Sequence, residues 1–377
     1  MVMPSASGLF EIHEPGDAFE RLEAHLRASG FLGASETAEP GETGETGEPA
    51  RRAQVYLGYG LSETLRRGGS AARPETGTLP LAACRVEDSH GSESTERESS
   101  AGGCRVGRWE ATWTAGQHVA AIRQAREAIA AGEIYQVNLV QHLSAGFEGD
   151  ISPVAAALAP LGPLHGRPML GPGWAIVSAS PELFLARRGA RVWTMPIKGT
   201  RPRGEGRALL TSAKDAAEHV MIVDLERNDL GRVCEPGSIR WPELMRHRSM
   251  AGVEHLVSLV EGRLRQGVTF AEILRAMFPG GSVTGAPKVA AVEHIRALEP
   301  VGRGASMGAL GNVWPNGDFD LALTIRTFAI TEGRIHLWVG GGVVWDSDPT
   351  AEVEESWVKA RPLLRAIETG TRARMAA

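Results

Sequence analysis

The sequence predicts an α+β fold built on sizeable mixed or antiparallel sheets. Strand-like and helix-like segments come in groups rather than in strict alternation, which argues against a parallel βαβ architecture. Of the 377 residues, 42% are hydrophobic and 23% charged, enough to bury a large core. No run of eighteen apolar residues occurs, so no membrane-spanning helix is expected.

Residues 1–113 read as a short, poorly specified amino-terminal region. The segments "GASETAEPGETGETGEPARRA" (33–53) and "EDSHGSESTERESSAGG" (87–103) are too poor in apolar residues to offset ordering, and are expected to be loops around a strand at "AQVYLGYG" (53–60). The pattern tightens from residue 114, and 114–368 reads as one domain followed by a tail at 369–377. "AGQHVAAIRQAREAIAAGE" has helical spacing with Gly132 as its stop, and "IYQVNLVQHLSA" alternates like a strand. Further strands are expected at 174–179, 183–188, 191–197, 321–330 and 334–344. Helices are expected at 211–229, 269–278, 286–298 and 349–368. No internal repeat is evident.

The formal charge of -5 supplies no basic field for nucleic acid, although the basic cluster at 201–207 suits a small anion. Three cysteines, Cys84, Cys104 and Cys234, form no C-x-x-C pair and have no histidine at metal-ligand spacing, which fits a reducing compartment. The amino terminus lacks a basic region followed by an apolar one, so a cytoplasmic location is expected.

Several motifs carry possible chemistry, each with an ordinary structural alternative. Glu352 and Glu355, three apart on an expected helix, form either a solvated face or, with Glu218 from another helix, a site for Mg²⁺ and its hard oxygen ligands. The runs "FPGGSVTGAPK" (278–288) and "VGGGVV" (339–344) are either turns or places where backbone N–H groups approach an anion, the first leading into a helix whose positive end would favour it. Arg326, expected on a strand with its side chain on the same face as Thr324, is either a carboxylate clamp or a structural ion pair. His255 is either a packing or a reacting histidine. Glu182 and Lys198 fall at the ends of expected strands. A buried Glu182 could protonate a leaving hydroxyl, and a desolvated Lys198 could attack carbon; the alternative for Lys198 is an edge-strand lysine with its ammonium in water.

Taken together, "GEIYQVNLVQ", "SPELFL", "PIKGTRPR", "AKDAAEHVMIVDLERNDLGR", "HLVS", "FPGGSVTGAPK", "DLALTIRTF" and "GGGVVWDSDPTAEVEES" resemble the chorismate-utilising enzymes, over residues 114–365 and in that family's order. The resemblance implies an anthranilate synthase component I-like α/β sandwich of two large sheets with flanking helices, and a magnesium-dependent chorismate site. It assigns Glu218 and Glu355 to the metal with Glu352 beside them. Arg326 and the backbone of Gly340, Gly341 and Gly342 fall to the substrate carboxylates, Thr200 to the substrate, Glu182 to general acid and His255 to the active-site histidine. Gln136 stands where water-using relatives carry a basic lysine, and Lys198 stands where anthranilate synthases typically have alanine. Within the family this pair resembles the aminodeoxychorismate synthase branch, in which the lysine attacks C2 of chorismate before ammonia enters at C4. Anthranilate synthase or isochorismate-type chemistry and a non-catalytic paralogue are the alternatives. The resemblance also implies a glutamine amidotransferase partner supplying ammonia. Ser306 and Asn312 depart from positions that are usually aromatic, so packing or substrate contact there must differ.

Overall fold

In the computed structural model of the protein, which describes residues 8–33, 51–65, 73–88, 102–202, 204, 209, 211–250 and 253–375, local sequence signals become elements for identifiable reasons. The helix Ala115–Ala130 starts at a capping box: the Thr114 hydroxyl accepts from Gln117 N–H, while the Gln117 side chain accepts from Thr114 N–H at 2.9 Å. Gly132 follows its end in the left-handed region at φ 77° and turns the chain toward the strand Gln136–Gly149.

Among the described residues the strands form one sheet of ten and one of eight, and every ladder pairing is antiparallel. The two sheets and their flanking helices make the α+β sandwich. The larger apolar core includes residues of both sheets. A second core, containing Leu143, Phe328 and Leu337, lies between the eight-stranded sheet and the helices Ser152–Leu158 and Pro349–Met375. Leu363 and Ile367 anchor the last helix there, each worth about 1.5–3 kcal/mol of burial. That anchoring holds its first turns against the strand Arg334–Val343 and its glycines.

The amino-terminal region is more ordered than its composition implies. Leu9–Ile12, Ala82–Asp88 and Arg51–Leu57 stand side by side at one edge of the ten-stranded sheet, the last paired with Ala309–Val313. Residues 51–53 and 87–88, expected in loops, are strand; the remaining low-complexity positions 34–50 and 89–101 lie outside the described residues. Two expected strands divide. Residues 191–197 break at Pro196 into Arg191–Met195 and Ile197–Pro202, both paired with Val253–Arg263. Residues 321–330 break into Phe319–Leu323 in one sheet and Thr327–Thr331 in the other, so Arg326 sits at a corner with φ 49° rather than on a continuous strand facing with Thr324.

Candidate active site

Two of the places where the chain crosses between the sheets lie side by side, and each carries a candidate residue. One runs from Trp174–Ser178 to Leu183–Arg188 and contains Glu182; the other runs from Phe319–Leu323 to Thr327–Thr331 and contains Arg326. They are stitched together, because Ala179 N–H donates to the Arg326 carbonyl and Leu323 N–H to the Glu182 carbonyl, each at 3.0 Å. Lys198 arrives on Ile197–Pro202 at the end of the ten-stranded sheet, where Ile197 N–H donates to Glu182 Oε1 at 3.4 Å.

Ser282 connects the acid to the lysine. Its hydroxyl donates to Glu182 Oε1 at 3.0 Å and its carbonyl accepts from Lys198 Nζ at 3.4 Å. Glu182 is 5% exposed. Burial pushes its carboxyl above the ordinary glutamate value, although Lys198, the Ile197 N–H, Ser282 and Arg326 all pull it down. Burial likewise drives the Lys198 ammonium below the ordinary lysine value, against the attraction of Glu182 and Glu218. The lysine of the "PIKGT" run is therefore held among desolvated groups rather than on a wet edge. His255 is also displaced downward by burial; its Nδ1 lies 2.9 Å from the Gly199 carbonyl, which can only accept. The neutral ring is thus protonated on Nδ1, with the Nε2 lone pair as its acceptor.

These side chains line a cavity of about 430 Å³ together with Glu218, Glu352, Glu355 and the backbone of Gly340, Gly341 and Gly342. A Cβ at Gly340 would collide with the Leu139 carbonyl of the neighbouring strand, so the backbone lies tight on its sheet at that residue. Thr200 lies on the same strand as Lys198, and its side chain falls outside the described residues. Gln136 does not line the cavity: it is fully buried behind Gly342. The run 278–288 also works differently from expectation. The turn Gly281–Val283 reaches the cavity, whereas the following helix Lys288–Leu298 begins away from it, with Lys288 paired to Asp229 at 2.5 Å.

Glu218 comes from the helix Ala213–Leu230, and Glu352 and Glu355 from the first turns of Pro349–Met375. Glu355 Oε1 is held by Lys359 Nζ at 2.9 Å, which also donates to the Gly340 carbonyl at 2.9 Å; Glu352 Oε1 accepts from the Ser347 hydroxyl at 2.7 Å. The donor chemistry, carboxylate oxygens around one cavity, fits a hard divalent cation. Among the described residues no three such side chains are gathered into a closed cluster.

Ser282, Asn138, Met307 and Lys359 are cavity residues that sequence reasoning did not select. Two had a signal: Ser282 lies inside the glycine-rich run, and Lys359 follows Glu355 by one helical turn. At the departures, Ser306 is buried with its hydroxyl 3.5 Å from the Thr324 carbonyl, and it is the adjacent Met307 that faces the cavity. Asn312 instead contacts His165 at 3.3 Å.

The chain is similar to known proteins. The model of the chorismate binding enzymes matches residues 61–365. Anthranilate synthase component 1 of Streptomyces coelicolor is 42% identical over 270 residues, which cover 69% of this chain and 53% of that protein. Aminodeoxychorismate synthase component 1 of Klebsiella aerogenes is 41% identical over 271 residues, covering 69% of this chain and 60% of that protein. The matched part thus spans little more than half the length of these relatives. Anthranilate synthase component I from Streptococcus pneumoniae shares the fold, with a TM-score of 0.79 at 23% identity over 96% of this chain and 93% of its own. With the family model matching most of its length and relatives 42% and 41% identical, the chain belongs to the chorismate binding enzymes.

Proposed function

We propose that the protein is component I of an aminodeoxychorismate synthase, converting chorismate and ammonia into 4-amino-4-deoxychorismate for p-aminobenzoate and folate synthesis. The observation that supports this reading is Lys198: its amine faces the cavity, burial favours the neutral form, and Ser282 joins it to Glu182. Lys198 attacks C2, forming a C–N bond while both ring double bonds shift along the conjugated diene and the C4–O bond breaks. Glu182, whose proton is retained by burial, delivers it to the departing hydroxyl. Ammonia then attacks C4, both double bonds shift back, the Lys198 amine leaves as the neutral base, and the ammonium formed at C4 returns a proton to the Glu182 carboxylate.

Arg326 and the Gly340–Gly342 backbone hold substrate carboxylates, with Thr200 against the substrate, so that attack becomes an intramolecular step. His255 keeps the Gly199 carbonyl, and hence the turn after Lys198, in place. Glu218, Glu355 and Glu352 would hold Mg²⁺, which when bound supplies charge neutralisation and Lewis acidity toward a substrate carboxylate. Ammonia comes from a separate glutamine amidotransferase subunit, a reading supported by the "component 1" in the relatives' names. The expected location is cytoplasmic; among the described residues no helix is long and apolar enough to cross a membrane.

A second reading, anthranilate synthesis, is favoured by the 42% identity to the Streptomyces coelicolor protein. Incubating the purified protein with chorismate, Mg²⁺ and ammonium, with products identified by mass spectrometry, separates the two. Aminodeoxychorismate is the expected product; anthranilate with pyruvate, or isochorismate, overturns the proposal.

A further inference from the structure

Glu226 touches none of the cavity described above, yet it is 2% exposed in the interior, on the helix Ala213–Leu230. Its Oε1 accepts from the Gly281 N–H at 3.0 Å, and its Oε2 has no hydrogen-bond partner among the described residues. Leaving a carboxylate oxygen buried and unmatched costs stability, so the group calls for a reason beyond packing. Gly281 is pressed onto this helix: a Cβ there would come within 2.6 Å of Leu225 Cδ2 and 3.0 Å of Glu226 Oε1. The next residue is Ser282, whose hydroxyl and carbonyl meet Glu182 and Lys198.

We propose that Glu226 is a positioning residue: by accepting from the Gly281 N–H it fixes the Ser282 hydroxyl and carbonyl at the point where Glu182 and Lys198 meet. The inference rests on the roles proposed for that pair. The groups facing Glu226 are Lys288 from the helix Lys288–Leu298, Asp229 from its own helix and Glu182 across the turn. Burial lifts the Glu226 carboxyl to about 7, opposed chiefly by Lys288, which is itself engaged by Asp229. Only the ionised form makes a charge-assisted bond to Gly281, so the turn is held more firmly as pH rises through neutrality.

The test uses Glu226→Gln and Glu226→Leu in the full chain. It measures chorismate consumption between about pH 6 and 8.5, thermal unfolding, and the acetylation rate of Lys198 by peptide mapping. Glu226→Gln keeps a carbonyl acceptor: kcat is expected to stay within about threefold, and any step in wild-type kcat near neutrality that Glu226 causes should disappear. Glu226→Leu strands the Gly281 N–H, and kcat per folded molecule is expected to fall about ten- to a hundredfold with KM for chorismate within about twofold. Lys198 acetylation should change in the same variant.

A Glu226→Leu protein with wild-type kcat per folded molecule and unchanged Lys198 acetylation would overturn the inference. So would a loss that merely tracks the folded fraction. If the leucine variant does not fold, Glu226→Ala, which also removes the acceptor, decides by the same two readouts, and wild-type values of both overturn the role. Product identity is a separate measurement: a chain that releases anthranilate refutes the proposed function and leaves these readouts to decide Glu226.

Discussion

The two groups of ionisable side chains around the cavity are built differently. Glu182, Lys198 and Ser282 are locked together by hydrogen bonds at the sheet crossings, and burial moves the acid up and the amine down. Glu355 and Lys359 are respectively 54% and 36% exposed at the side chain, and among Glu218, Glu352 and Glu355 no closed cluster has formed. The first group is preorganised and dry, so its chemistry is set by the fold. The second is more exposed, with Glu355 paired to Lys359, an arrangement that would suit the metal proposed for it.

Removing the dry group should cost most. Lys198→Ala is expected to lower chorismate amination by roughly a thousandfold or more and to abolish any substrate adduct on the peptide around residue 198. An adduct found on another peptide would contradict the lysine's role. Glu182→Gln should lower kcat by about a hundredfold, within the usual contribution of a general acid, with KM little changed. Its pH profile gives a sharper reading. Because burial raises the Glu182 value, its proton persists to higher pH than in a free glutamate, and wild-type activity should fall only when pH passes that raised value. Glu182→Gln should lack this alkaline limb; a variant that keeps it would assign the limb to another group.

The hydrated side should respond more weakly and through the ion. Glu355→Gln is expected to raise the half-saturating Mg²⁺ concentration about tenfold in a turnover titration. Unchanged Mg²⁺ dependence would remove Glu355 from the metal set. Lys359→Met, which frees Glu355 of its competitor, should lower the Mg²⁺ requirement by no more than about threefold, and an increase would mean that Lys359 helps bind the substrate rather than occupy the metal ligand.

Legibility varied with the range of the interaction. The helix at 115–130 and the strand at 183–188 were readable because caps, glycine stops and alternation are local. The pairing of Arg51–Leu57 with Ala309–Val313 was not, since its partners lie some 250 residues apart and composition concealed the edge of the sheet. The ladder of Arg240–Met250 with Val253–Arg263 was missed too: its first strand, "RWPELMRHRSM", is largely polar and takes its order from the neighbour it pairs with. The break at Arg326 escaped because "LALTIRTFAI" is rich in strand-forming residues and holds no Gly or Pro to mark a corner, although the chain changes sheets in its middle.

By itself, the sequence determined the groups available for chemistry, a lysine in "PIKGT", a glutamate in "SPELFL" and carboxylates one helical turn apart in "AEVEES", because side-chain type and short spacing are written directly in it. Only the tertiary structure decided that residues 182, 198 and 282 share one hydrogen-bonded point, that Gln136 lies behind the glycines rather than in the cavity, and that Glu226 bears on the turn carrying Ser282. Proximity and desolvation set the direction of every displaced pKa here, and both arise only when distant segments pack.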